Sequence, residues 1–508
     1  MSVLTQDAAL LSKNVSFPRV RSGSLFVSFL ICALVVLWFV QTSEDFAHWF
    51  VLPVLFCGTL IGADAIDWFR GRFGLIDPAG FLGLLGFHFF FLAPLLHVHW
   101  DQWIGYIVPP TDWRPWLGGM ALLNGLGLLI YRFSRGPQNV LKSLAPRSMV
   151  WRVAPRKFFP IICCALLTTA LLQFWVYQEY GGIVGYISTF EEATIGGSAF
   201  KGMGIVFTFS ESFPIVAMIG FALYAGRHKM ARSWMVISLA LSIYFILLML
   251  FGGLRGGRGN TIFQLFWGAG IIHLWVRPLS KKMMMVGLIF LIGFMYVYGF
   301  YKEGGLKGLT AIEDAASRED MQRKTGRTMK GAILGDLGRS DVQAFLLYRL
   351  WPTPIDYEYA WGRTYLGALA LLVPRNVWAD RPSTKVKEGT ELMFGRGSHE
   401  EEFESPFVYG LAGEAMLNYG MVGVPPAFFL LGIAVRSLRR LLVTLDRRDI
   451  RLLVIPFLVV LTANMMTGDS DNLVFNIIKF GTVPFLVLAS GSIRSSITSY
   501  NTCSSALR

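Results

Sequence analysis

Apolar residues fill long, nearly unbroken stretches of this chain instead of recurring on one face of short segments. Runs lie near 24–41, 46–63, 78–97, 115–131, 158–177, 204–225, 234–252, 260–276, 283–301, 409–435, 452–467 and 473–492. Each approaches the length of about 20 residues with which a helix crosses a hydrocarbon core. The pattern predicts an all-α polytopic membrane protein of about twelve transmembrane helices. Polar positions collect between the runs, and their cations are unevenly shared. Arg70 and Arg72 follow the second run, Arg132, Arg135, Lys142, Arg147, Arg152, Arg156 and Lys157 the fourth, and Arg227, Lys229 and Arg232 the sixth. Arg277, Lys281 and Lys282 follow the eighth, and Arg436, Arg439, Arg440, Arg447, Arg448 and Arg451 the tenth. Short loops on the opposite side hold only Arg114, Lys201, Arg255 and Arg258. Basic short loops stay in the cytoplasm, so both termini are expected inside and the sparse loops outside.

Residues 302–405 break the rhythm. They form a large outward (periplasmic) loop between transmembrane helices 1–9, residues 1–301, and helices 10–12 with a cytoplasmic tail, residues 406–508. The loop carries fifteen Lys/Arg against sixteen Asp/Glu and has no low-complexity stretch. It contains an amphipathic piece, Val342–Leu350, and an apolar run of eleven residues, Thr364–Pro374. The run is too short to span and reads as a re-entrant or interfacial helix. Long ordered loops in compact proteins are usually functional.

Composition agrees with the membrane reading. Of 508 residues 54% are hydrophobic and 16% charged, against about 25% charged in soluble domains. The net charge of +13 is spent on orientation, so no nucleic-acid partner is expected. Cys32, Cys57, Cys163 and Cys164 lie in apolar runs and Cys503 in the tail, which implies no disulfide framework. The first run is long enough to span and lacks a small-residue cleavage site, so no cleaved leader is expected.

Three constellations carry candidate chemistry. The first is Leu254–Asn260, LRGGRGN, at the outward end of the eighth helix. Its glycines free the backbone, Asn260 is a candidate cap, and a helix N-terminus beside Arg255 and Arg258 suits a phosphate; against this stands a glycine turn whose arginines meet lipid headgroups. The second is the loop set Arg339 and Asp341 (GRSD), Arg363 (GRTY), Arg375 (PRNVW) and Arg381, which in a plain globular loop would simply form salt bridges. The third is Glu404–Gly423, where Gly410, Glu414 and Asn418 share one helix face. Glu414 falls near the outer boundary, and an ionisable residue at membrane depth is a functional hypothesis; pairing with one of the arginines is the structural alternative. Pro425–Pro426 should interrupt this helix. His97 and His99 read as interfacial caps, Glu400–Glu402 as a solvated face, and Asp469 and Asp471 as a weak DxD pattern able to hold a cation or pair with arginines. No metal site and no cofactor are expected.

In this order, the outward LRGGRGN turn, the loop segment GRTYLGALALLVPRNVWADRP and the helix opening GEAMLNYGMVGV resemble the O-antigen polymerase family, the Wzy-type oligosaccharide repeat-unit polymerases, over about residues 250–435. Where that family often has a lysine before the proline of the PR…W…P piece, this chain has Arg381. The resemblance implies a bacterial inner-membrane glycosyltransferase that uses no metal. It would move a growing glycan from undecaprenyl pyrophosphate onto the next lipid-linked repeat unit. Its partners would be these lipid-linked glycans, membrane lipid, a chain-length regulator and a flippase. Arg258 and the substrate-binding set Arg255, Arg339, Arg363 and Arg375 would then hold the pyrophosphate, with Asn418 beside them. Glu414, or secondly Asp341, would be the base. An O-antigen ligase uses the same donor with another acceptor, and a lipid-linked oligosaccharide transporter is the rival from another class. The latter would place charges near the midplane, whereas the helix cores of this sequence are nearly charge-free, with Glu211 and Lys479 the main exceptions.

Overall fold

Lipid offers no hydrogen bonds, so a chain crossing it must satisfy its backbone within each segment, and every predicted apolar run closes as a helix. The computed structural model of the chain describes residues 22–496 except 106, 138–146, 148, 197–199, 201, 257, 311, 313, 315, 318, 320–327, 353–356, 374–376 and 401–406. Among the described residues, ten helices are long and apolar enough to span. They are α1 (Gly23–Thr42), α2 (Val51–Phe69), α3 (Pro78–Trp100), α4 (Arg114–Arg135), α5 (Pro155–Glu179), then, after the unforeseen α6 (Gly182–Gly196), α7 (Gly204–Ala225) and α8 (Trp234–Arg255). Helix α9 (Arg258–Ile271, continued by a π turn at Ile272–Val276) is shorter. Helix α10 runs past residue 302 to Thr310 (Lys281–Thr310). The large loop contributes α11 (Ser340–Leu350), α12 (Arg363–Ala370) and α13 (Lys385–Phe394). Helices α14 (Gly410–Thr444), the short α15 (Ile455–Thr467) and α16 (Ser470–Ser490) complete the bundle. The protein is thus all-α and multi-pass; one two-stranded antiparallel ribbon, β1 (Met149–Val153) on β2 (Ser492–Ser496), is added to it.

Two apolar cores meet at α15. One joins α1–α4, α11 and α14; the other joins α5, α7–α9 and α16. Large side chains such as Leu34, Phe159, Leu239 and Ile289 point outward, an apolar exterior that water would not tolerate but acyl chains cover.

Contacts across the chain gather the basic connections at one end. Arg135 and Arg132 reach Asp64 at 2.5 and 3.1 Å, Arg439 meets Asp77 at 3.0 Å, and Trp151 N–H donates to Asp449 at 3.3 Å. The sparse connections meet at the loop end, where Arg114 pairs with Asp45 at 3.4 Å and Tyr301 donates to the Leu254 carbonyl at 2.6 Å.

Close helix contact needs small residues at the crossing. A Cβ on Gly83 of α3 would lie 2.6 Å from the Ala65 nitrogen and 2.8 Å from the Asp64 carbonyl carbon on α2. Backbone cannot swing aside as a side chain can. Gly83→Ala should therefore destabilise the bundle by about 1–3 kcal/mol. The check is the melting midpoint of the purified protein followed by tryptophan fluorescence; an unchanged midpoint would mean the two helices separate without cost.

The loop is not a separate outer domain. The amphipathic piece expected to lie outside forms α11, which is buried in the first core and packs chiefly on α4. Gln343 donates to the Tyr409 carbonyl at 2.8 Å and accepts from Asn124, halfway along α4, at 3.4 Å. The apolar side chains of Val342–Leu350 find a facing helix, whereas Leu366, Leu369 and Leu372 of α12 and the turn after it remain exposed. The expected break in α14 is present as a 3-10 turn at Gly420–Gly423, directly before the prolines. Helix α7 is also broken, at Glu211–Ser212 ahead of Pro214, and α16 carries a π turn at Ile477–Gly481.

Candidate active site

The start of α14 sets the first polar group. Gly410 adopts a positive φ of 71°, open to glycine at no steric cost, and this turns the Tyr409 and Gly410 N–H groups onto Asp469. They donate to its Oδ1 at 3.0 and 2.8 Å. Lys385, from α13, forms an ion pair with the same carboxylate and also donates to the Phe407 carbonyl at 3.0 Å. Asp469 therefore pins the loop to the bundle, and its cation is a lysine, not one of the arginines. Among the described residues no cluster of His, Cys, Asp or Glu has the makings of a metal site.

Glu414 lies one turn further along α14 and is buried. Its Oε1 accepts from the Thr364 hydroxyl at 2.8 Å and the Ser470 hydroxyl at 2.5 Å, and its Oε2 accepts from the Ser470 N–H at 2.6 Å. Ser470 opens α16, so the carboxylate faces the positive end of a helix dipole. All three donors are neutral, and among the described residues Glu414 has no ion-pair partner. Asn418, one turn on, donates to Thr364 Oγ1 at 2.7 Å and to the Glu414 carbonyl at 2.9 Å. The first helical stretch of α14 ends there, and its free carbonyls receive the loop: Ala360 N–H donates to Leu417 O and Trp361 N–H to Asn418 O, both at 3.0 Å, while Gly362 N–H donates to Asn418 Oδ1 at 2.8 Å. That docking delivers Arg363 and Thr364 to opposite duties.

Thr364 turns inward to Glu414. Arg363 turns outward and grips Glu388 of α13 in a two-point pair, Nε to Oε1 at 3.0 Å and a terminal nitrogen to Oε2 at 3.3 Å. Hydrogen bonding to Glu388 holds this guanidinium above its ordinary pKa. The pair lines an open cavity of about 710 Å³, shared with Tyr357, Glu358, Lys387, Glu391, Arg396 and Glu400. The Tyr357 hydroxyl donates to Leu417 O at 2.9 Å, and burial pushes its pKa up.

A second polar group sits lower on α16. Lys479, in the π turn, pairs with Glu211 at 2.8 Å, and Arg255 pairs with the same carboxylate while its guanidinium lies 4.0 Å from the Phe207 ring centroid. Glu211 stands at the break in α7. Nine residues along α16 separate Lys479 from Ser470, about 14 Å at 1.5 Å per residue.

The expected convergence of arginines on one anion is not what the described residues display. Arg255 engages Glu211, Arg363 engages Glu388, and Arg339 donates to the Gly335 and Gly338 carbonyls of its own turn. Each guanidinium was drawn to the nearest carboxylate or carbonyl, which a reading by sequence order could not rank. Arg258 opens α9, but its side chain lies outside the described part, as does the whole of Arg375. Asn260 falls within the first turn of α9, not at the position before it, and its side chain lies outside the described part. Asp341 is buried at the start of α11. It accepts from Val342 N–H at 2.8 Å and faces His97 Nε2 at 3.6 Å, while His97 Nδ1 donates to the Gln102 carbonyl at 2.5 Å. These contacts dock α11 on α3, and among the described residues they do not include the Glu414 group. Thr364, Ser470, Lys385 and Glu388 were missed in the sequence. The only signal was the serine between the aspartates of GDSDN, overshadowed by its acidic neighbours.

Comparison of the chain with protein-family models, curated proteins and solved structures returns no match.

Proposed function

We propose that the chain is a membrane glycosyltransferase that polymerises undecaprenyl-pyrophosphate-linked oligosaccharide repeat units at the outer face of a bacterial inner membrane. The observation carrying this reading is Glu414: a carboxylate buried at the loop end of the bundle, held by three neutral donors, beside a polar cavity open to the loop. A hydroxyl of the acceptor glycan attacks the anomeric carbon of the donor, the bond to the pyrophosphate breaks, and the hydroxyl proton passes to Glu414, with Ser470 and Thr364 as the hydroxyls beside it. General-base catalysis of this kind contributes about 10²–10⁴-fold. Negative charge grows on the leaving pyrophosphate, and Arg255 with Lys479, two cations sharing one carboxylate, supports it. The orientation rests on the cation asymmetry of the short loops.

The pair Glu211–Lys479 favours a second reading, a lipid-linked oligosaccharide transporter, because charged residues within spans and helices broken at those residues are features of transporters. A strain lacking the chain separates the two. Loss of a polymerase leaves surface glycan of a single repeat unit. Loss of a transporter, or of a ligase, removes the attached glycan altogether. Long chains of normal length in that strain would end all three readings.

A further inference from the structure

We infer that the cavity of the large loop is a carbohydrate subsite, one that takes neutral or amino-bearing oligosaccharide and turns the pyrophosphate away. The assignment rests on the proposed glycan-joining function and adds where the sugar chain lies. At about 710 Å³ the cavity falls within the range of about 300–1,000 Å³ typical of ligand sites.

Its charge is the first argument. Among the described residues that line it, four carboxylates, Glu358, Glu388, Glu391 and Glu400, face three cations, Arg363, Lys387 and Arg396, a balance of −1. A pyrophosphate group would meet net repulsion there. The group around Glu211 has the opposite balance, two cations to one carboxylate. Arg363 thus belongs to the sugar side of the site and not with the anion-binding arginines.

The hydrogen-bonding geometry is the second argument. Arg363 and Glu388 are locked side by side at 3.0 and 3.3 Å, donors next to acceptors. Adjacent sugar hydroxyls, each both donor and acceptor, match such an edge. The outer pairs of Lys387 are looser: Lys387–Glu391 and Lys387–Glu400 both stand at 3.8 Å. That exceeds hydrogen-bond length, so ligand hydroxyls can bridge these pairs without breaking good bonds. Tyr357 has its hydroxyl committed to Leu417 and offers its ring as an apolar surface. Because Arg363 and Thr364 are successive residues of α12, the cavity wall and Glu414 lie on two sides of one helical turn, within about 10 Å, a helix diameter.

The test uses the full chain in nanodiscs and saturation-transfer NMR with four probes: cellotetraose, the tetramer of glucosamine, tetragalacturonate and inorganic pyrophosphate. Cellotetraose and the glucosamine tetramer should bind, tetragalacturonate should not, and pyrophosphate should not compete. Glu388→Gln should weaken binding at least about tenfold, the loss of a hydrogen bond to a charged group. The rim variant Lys387→Ala/Glu391→Ala, which spares the buried pair, should weaken it in the same direction. Binding of neither favoured tetrasaccharide, competition by pyrophosphate, or binding unchanged in both variants overturns the assignment. If deletion of the chain abolishes polymer and such a result is found, the cavity assignment alone falls. If the tetrasaccharides bind as expected and the deletion strain keeps normal polymer, the cavity stands and the polymerase reading falls.

Discussion

Cells whose only copy of this chain carries Glu414→Gln should lose long glycan chains and retain single repeat units, with the protein present at its normal level. Glutamine preserves the volume and one acceptor oxygen, so the contacts to Ser470 and Thr364 that join α14 to α16 and α12 are kept in part. What disappears is the ability to take a proton. A rate loss of about 10²–10⁴-fold is enough to abolish polymer visible on a gel. Thr364→Val is the graded companion. It removes one donor to the carboxylate and leaves the base in place, so chains should shorten without vanishing. Normal long chains in Glu414→Gln at normal protein level would strip Glu414 of any catalytic part and leave it as the residue that caps α16.

The largest effect on stability is expected at Glu211. This one buried carboxylate faces Lys479 at 2.8 Å and also pairs with Arg255, and Lys479 is buried as well. Removing one member of a buried ion pair costs about 3–5 kcal/mol, because the remaining charge has lost its compensation. Glu211→Gln should therefore reduce the yield of monodisperse protein sharply in size-exclusion chromatography. The double variant Glu211→Gln/Lys479→Met should recover much of it, since no uncompensated ammonium remains. Full yield from the single variant would mean that water or lipid headgroups already serve Lys479. Failure of the double variant to improve on it would assign the loss to Arg255 or to the break in α7.

The spans were legible because hydrocarbon imposes one rule on every segment: the twelve apolar runs are helical among the described residues, ten of them long enough to span and two shorter, with ends shifted by up to nine residues. The boundary of α2 illustrates the limit: its apolar run stops at 63, yet the helix continues to Phe69 because Asp64 is satisfied by Arg132 and Arg135 from α4. The loop was harder. Helix α11 carries Ser340, Asp341 and Gln343, which look solvent-facing along the chain; in the bundle each is buried, with His97 facing Asp341 and Asn124 and the Tyr409 carbonyl bonded to Gln343. Such pairing joins residues from 66 to more than two hundred positions apart and leaves no local trace. The same holds at the site. Glu414 and Asn418 were visible as a polar stripe on an apolar helix, and Glu211 and Lys479 as charges in the wrong place. That Ser470 serves Glu414, and that the last two meet each other, depended on how α16 packs.

Helix α16 supplies Ser470 to Glu414, Asp469 just ahead of it to Lys385, and Lys479 to Glu211, and it is followed at once by the strand that pairs with β1. It is also the last of these helices to emerge from the ribosome. Until it is inserted, the Glu414 carboxylate has only Thr364, the Glu211 carboxylate has only Arg255, and β1 has no strand to pair with. A nascent chain can thread the preceding segments into the membrane and still possess neither polar centre complete, so whatever chemistry they perform is withheld until α16 is in place.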